Sequence, residues 1–353
     1  MDVKYNRLSY LMNFKFIRNI TIIVIVLVLG FYGFINENNT KTSKITNMNN
    51  FKMPTTEEII TKLCSNEFSG RAINSKGNEL TVEYIKNLFN KLKLEPVFKD
   101  SYLHEFESAI LGNSDENGVP EKQTILKLNN VVGKISGKNN KNAIILGAHF
   151  DGYGKVTNPN TKEVEIFRGA LDNASGVATI LNIAHNLKTR KDTLDYDVII
   201  CGFNGELTGY KMGSEQFVKD IKHLYDKIFY INIDCVGAKK AGPIALKNIS
   251  RVKESSQLYD SIKDIFKKHN IHYEDIYSSK KVEDCFEKNF FGVSDYKYFE
   301  KNNIPNIHIA QSKISDLILK VEDTPEILDY NLIDALALSL SDYIKNNELK
   351  FTN

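Results

Sequence analysis

Four cysteines in 353 residues, Cys64, Cys201, Cys235 and Cys285, lie far apart, and no two stand at the short spacing that builds a structural zinc knuckle. Their spacing gives no disulfide pairing either, so buried thiols are the plain expectation. Blocks of about five or six like charges are absent. A formal net charge of +2 is too small to point to nucleic acid. No internal repeat with a period of about 20 to 50 residues is visible, which argues against solenoids and propellers. What is present is ordinary for a globular chain: 42% hydrophobic and 25% charged residues, enough to bury a large core as one α/β domain or two smaller ones.

One long apolar run stands near the N-terminus. Ile20 to Ile35 (ITIIVIVLVLGFYGFI) carries no charge, while Lys4, Arg7, Lys15 and Arg18 precede it and Asn36, Glu37 and Asn38 follow. A bilayer span takes about 20 apolar residues, so the run sits at the lower limit unless Phe14, Phe16 and Ile17 extend it. The positive-inside rule makes residues 1–19 a short cytoplasmic segment and 20–35 a transmembrane signal anchor, with the rest of the chain outside the cell membrane. A cleaved export signal, giving a secreted protein, is the rival reading. No small-x-small cleavage site follows the run, and no cysteine follows for lipid attachment. Residues 36–53 are polar and rich in Asn, Thr and Lys without an apolar period, which reads as a flexible linker and leaves 54–353 as the folded domain.

Within that domain, Thr55 and Thr56 followed by Glu57 and Glu58 mark a helix start, with Ile59, Ile60 and Leu63 on one face. Leu80, Tyr84, Leu88 and Leu92 recur at helical spacing and predict a second helix over 77–93. Short apolar runs at 143–148 (AIILGA), 198–203 (VIICGF), 228–233 (IFYINI) and 304–310 (IPNIHIA) read as fully buried strands. Helical patterns lie between and after them, at 175–187, 213–222, 254–269 and 326–345. Buried strands alternating with helices predict a three-layer α/β fold, a mostly parallel central sheet with helices on both faces.

Ligands of such sheets bind beyond the carboxyl ends of the strands. Four polar residues fall there or in the adjoining loop: His149 after the first run, Glu206 after the second, Asp234 after the third, and Asp172 in the loop that opens the helix near Ser175. A neutral imidazole with two carboxylates is a good donor set for zinc, which keeps an open position where it is catalytic. Asp151, two residues beyond His149, would accept the other ring N–H and fix the tautomer. Glu206 would take a proton from a metal-bound water and pass it to a leaving amine. Taken singly, each residue has a plainer use, and Asp172 would simply cap the following helix.

The strings GAHFDGYG (147–154), GALDNASGVATILNIAHNL (169–187), FNGELTGYKMGSEQF (203–217) and INIDCVG (231–237) resemble the successive signatures of the zinc aminopeptidase family that also contains glutamate carboxypeptidase and the glutaminyl cyclases. EFSGRAINSKGNEL (67–80), NVVGKISG (130–137) and SDYKYFEKNNIPNI (294–307) resemble its flanking segments. The resemblance covers the chain from about residue 55 onward. It implies a zinc exopeptidase fold with two zinc ions bridged by one aspartate. Carried across, His149 and Asp234 would bind one metal, Asp172 would bridge, Asp151 would support His149, and Glu206 would be the general base.

Two positions depart from that pattern. The family commonly has Glu-Glu where Glu206-Leu207 stands, and the second Glu binds the other metal. It also has a His four residues before an Asp-Thr pair, and Asp323-Thr324 places Leu319 there. Glu322, Asp316 and His308 are candidate replacements. The resemblance therefore implies one zinc ion, with two as the alternative, and a peptide as substrate. The expected function is a membrane-anchored, extracytoplasmic metallopeptidase, an aminopeptidase acting through a metal-activated water. A catalytically inactive binding or scaffold protein is the alternative. Single-zinc glutaminyl cyclases keep the second Glu and the late His, so that activity fits less well. The sequence is silent on oligomeric state.

Overall fold

A computed structural model describes residues 51–110, 124–189, 193–207, 212–247, 252–276 and 294–346. The apolar run at 20–35 and its flanks lie outside these residues, as does Cys285. Among the described residues, no helix is long and apolar enough to cross a membrane. Residues Pro54–Asn353 form one compact unit.

Helix α1 (Thr56–Leu63) begins as its sequence predicts. Thr55 accepts from the Glu58 backbone N–H and Glu58 reaches back to Thr55, a reciprocal cap. Helix α2 (Lys76–Leu92) is capped by Ser75. Three strands then run antiparallel, β1 (Glu95–Pro96), β2 (Leu103–Ile110) and β3 (Thr124–Ile135). Strand β4 (Asn139–His149) leads to a hairpin of β5 (Gly154–Thr157) and β6 (Val164–Phe167). Helix α3 (Ser175–Thr189) and strand β7 (Tyr196–Phe203) follow. After them come α4 (Gly213–Ile221), β8 (Lys227–Ile233), β9 (Ile244–Lys247) and α5 (Lys253–Lys268). The chain closes with β10 (Tyr273–Ile276), α6 (Tyr296–Lys301), β11 (Asn306–Gln311) and α7 (Tyr330–Lys345).

The main sheet has the order β1-β3-β7-β4-β8-β11-β9-β10, with β2 beside β3. Its centre, β7-β4-β8-β11, is parallel. Strands β1, β2 and β3 on one side, and the β9–β11 pairing on the other, are antiparallel, so the sheet is mixed rather than mostly parallel. The parallel centre is where the four apolar runs fall. Every residue of β7 and β11 is buried, and neighbouring residues of β4 such as Ile144 and Ile145 are equally inaccessible, so both faces of the centre are covered. Phe217, Val218 and Ile221 of α4 and Tyr296 and Phe299 of α6 pack on Ile145, Ile199 and Tyr230 on one face. Helix α3 packs on β4, β7 and β8, and α7 packs on α3.

One boundary shifts. The last helix begins at Tyr330 rather than near 326, because Pro325–Ile327 makes a separate single turn. Leu328 is then extended, and the Asp329 carboxylate caps the real start at the Asn331 and Leu332 N–H groups.

Candidate metal centre

The carboxyl ends of β4, β7 and β8 lie side by side, because β4 pairs with both neighbours in parallel register. His149 is the last residue of β4, Asp234 follows β8, and Asp172 sits in the irregular turn before α3. His149 Nε2 stands 3.2 Å from Asp172 Oδ1 and 3.4 Å from Asp234 Oδ1. These donor atoms all lie within 4.8 Å of one another, and they form the one group of this kind among the described residues. Zinc–ligand bonds of about 2.0–2.1 Å in a tetrahedron separate ligand atoms by about 3.3 Å. The two gaps from His149 fit that geometry, so His149, Asp172 and Asp234 are the residues that would hold zinc.

Backbone hydrogen bonds fix each of the three. The plainer alternative for Asp172, a cap on α3, falls to its neighbour: Asn173 Oδ1 accepts from Gly176 N at 2.9 Å and from Cys235 N at 3.1 Å. Asn173 Nδ2 also donates to Ile233 O, so one side chain ties the start of α3 to the strand end that carries Asp234. Asp323 accepts from Leu171 N at 2.6 Å and Asp172 N at 3.1 Å, which orients the Asp172 loop. Arg71 is fully buried and donates to four carbonyls, those of Leu63, Phe150, Arg168 and Gly169. It thereby joins the loop after His149 to the loop before Asp172.

Asp151 does less for His149 than its spacing suggests. Its Oδ1 is 3.7 Å from His149 Nδ1, longer than a hydrogen bond, and that nitrogen has no partner among the described residues. Instead its two oxygens accept from Glu206 N at 3.1 Å and Leu207 N at 3.0 Å, so it holds the loop that carries Glu206.

The electrostatics follow from burial. Burial pushes the Glu206 carboxyl well above its ordinary range, opposed by His149 and reinforced by Asp234. Burial also raises Asp234, but His149 outweighs it and holds Asp234 below the usual carboxylate range. Burial works against protonation of His149, yet the surrounding acids, Asp234 first, raise it well above a free imidazole.

These groups open into a cleft of about 230 Å³ lined by His149, Asp172, Glu206 and Asp234. Leu207, Ala310, Ile314, Ile318 and Leu319 form an apolar part of its wall, and Tyr153, Cys235, Ser294 and His308 complete it. Both leucines that replace expected ligands thus face the site. Of the candidate replacements, His308 reaches the cleft, whereas Asp316 and Glu322 do not line it. None of the three joins the metal-binding group.

Residues 130–344 match the model of peptidase family M28. The chain belongs to that family. Among solved structures similar to this M28 chain, Porphyromonas gingivalis glutaminyl cyclase is 19% identical, with a TM-score of 0.58 over 83% of this chain and 97% of that one. A leucine aminopeptidase precursor from Bacteroides thetaiotaomicron is 15% identical, with a TM-score of 0.60 over 84% of this chain and 99% of that one. BSAP, a zinc aminopeptidase from Bacillus subtilis, is 14% identical, with a TM-score of 0.60 over 85% and 98% respectively. At these identities the likeness speaks for the fold, the mixed α/β architecture of zinc exopeptidases. Among curated proteins none matches the sequence. M28 membership makes the chain a member of a zinc-dependent metallopeptidase family whose substrates are peptides.

Proposed function

We propose that this M28 chain is an aminopeptidase that removes residues from peptide N-termini, with one zinc ion held by His149, Asp172 and Asp234 and with Glu206 as general base. The observation that carries the reading is the convergence of three zinc-spaced donor atoms with a buried Glu206 on one cleft. Bound zinc supplies Lewis acidity, lowering the pKa of a water to about 7 and polarising a carbonyl. The residues of the chain do the rest. Glu206 takes the proton of the attacking water on its carboxylate and delivers it to the departing amine, a task suited to a carboxyl raised by burial. Asp151 keeps that carboxylate in place through the backbone of residues 206 and 207. The apolar wall of Leu207, Ile314, Ile318 and Leu319 excludes water and accepts an apolar side chain.

The domain stands outside the membrane, anchored by residues 20–35 behind a linker at 36–53; this placement rests on the sequence pattern alone.

Metal content by mass spectrometry, with hydrolysis of an aminoacyl anilide panel, tests the reading. One zinc per chain and turnover that falls by at least about 100-fold in Glu206→Gln is the expected outcome. Absence of both zinc and turnover sinks it and leaves the second reading, a binding protein of the same fold, which the two leucines in the cleft favour.

A further inference from the structure

The row of side chains across β8, β11 and β9 contains three polar residues in register. His308 lies opposite Asn232 on one side and opposite Lys247 on the other. All three are buried within the sheet. Buried polar side chains at such a place are costly unless their hydrogen bonds are met. Those of Asn232 are met: its amide oxygen accepts from the Tyr230 hydroxyl, and its nitrogen donates to Ser294 Oγ at 3.0 Å and to His308 Nδ1 at 2.8 Å.

The bond to Nδ1 decides what the ring can offer. An amide nitrogen only donates, so Nδ1 is the acceptor and a neutral imidazole must carry its proton on Nε2. Burial first, opposed by the Asp234 charge and assisted by that of Lys247, lowers His308 to about 3 and keeps it neutral. The Tyr296 ring packs against it at 4.9 Å between centroids, and the Tyr296 hydroxyl accepts from Lys247 Nζ at 3.0 Å. The ring is therefore held at its Nδ1 edge and on its face. Nε2 has no protein partner among the described residues, and His308 lines the cleft with Glu206 and Asp234.

We infer that His308 is a further catalytic residue, donating a hydrogen bond from Nε2 to the carbonyl oxygen of the peptide bond being cleaved. The inference rests on the peptidase reading above. A fixed neutral imidazole is a suitable electrophile: as charge develops on that oxygen the bond strengthens, and no reorganisation is needed. The proton stays on Nε2 throughout, since proton transfer belongs to Glu206. Leu207 and Leu319 give this donor its importance, because two side chains that cannot hold a second cation leave the carbonyl with one electrophile fewer.

The test uses the full chain loaded with zinc and labelled with 15N-histidine. Of its seven histidines, His308 is identified by the signal lost in His308→Gln. The expected spectrum shows Nδ1 unprotonated and Nε2 protonated. In a Glu206→Gln background, which blocks turnover, added leucyl-alanine is expected to shift the Nε2–H resonance. A protonated Nδ1, or an Nε2–H that does not respond to the dipeptide, overturns the inference. In kinetics, His308→Phe is expected to lower kcat by about 100-fold or more with KM within a few-fold and zinc content unchanged. His308→Gln, which keeps an N–H donor, is expected to recover part of the loss. Loss of zinc in His308→Phe would show a ligand instead, and an unchanged kcat would show a packing residue; either result overturns it. If the wild-type chain hydrolyses no peptide, the peptidase reading fails, and the dipeptide shift still decides whether His308 meets a bound peptide.

Discussion

Leu207 and Leu319 set how many cations the cleft can hold. Both line it together with Asp172, and neither offers a lone pair. Leu319 also has a φ of 58°, a left-handed backbone that suits His better than a branched apolar side chain. The double substitution Leu207→Glu with Leu319→His is therefore expected to raise bound zinc from one to two per chain without loss of folding, read by metal analysis and thermal melting. Asp295 supplies a second prediction. It is wholly buried, neither oxygen has a hydrogen-bond partner among the described residues, and burial raises it to about 7, opposed in part by His149. A carboxyl raised in the folded state keeps its proton where the unfolded chain has lost it. Its contribution to stability is thus complete below about pH 4 and declines as pH rises toward 7, by about 4 kcal/mol at most. In chelator-treated protein, Asp295→Asn is expected to be more stable than wild type at pH 8, with the difference gone at pH 4. Urea unfolding at the two pH values measures it, and equal differences at both would contradict the buried charge.

At the scale of elements, the join between α3 and β8 depends on Asn173. Asn173→Ala removes an N-cap worth about 1 kcal/mol and leaves Cys235 N and Ile233 O unpaired in the interior, each costing about 1 kcal/mol or more. A loss of about 3 kcal/mol is expected from the urea midpoint with an unchanged slope, while Asn173→Asp, which keeps the accepting oxygen, is expected to lose less. Neither Arg71 nor Asp323 was legible as a supporting residue, nor was the tie from Asn173 to the end of β8, because those partners are backbone atoms of distant segments and sequence does not show which loops meet. The central strands were legible because burial on both faces leaves unbroken apolar runs. Strands β2 and β3 were not, because their exposed polar positions interrupt the pattern. His149, Asp172, Glu206 and Asp234 could be singled out because the topology of a parallel centre sends strand ends to one edge. His308 lies inside a strand, where an isolated polar residue gives no such signal.

At the scale of the whole molecule, the proposed placement of the domain outside the membrane rests on the first 53 residues. As a helix, Ile20 to Ile35 spans about 24 Å, short of a hydrocarbon core of about 30 Å; starting at Phe14 it spans about 33 Å. Such a helix would carry Lys15 and Arg18 near one end, where long basic side chains can run along the apolar surface and place their charges at the headgroups. An anchor of this kind needs basic residues on one side only, and Asn36, Glu37 and Asn38 on the other side meet that condition. The full-length chain is expected to sediment with membranes and to resist alkaline carbonate, which strips peripheral proteins. A chain beginning at Pro54, the start of the compact unit, is expected in the supernatant. Protease added to intact cells should then degrade the domain while a tag placed before Lys4 survives. Recovery of full-length chain in the carbonate supernatant would remove the anchor, and a medium fraction lacking residues 1–35 would establish a cleaved export signal in its place.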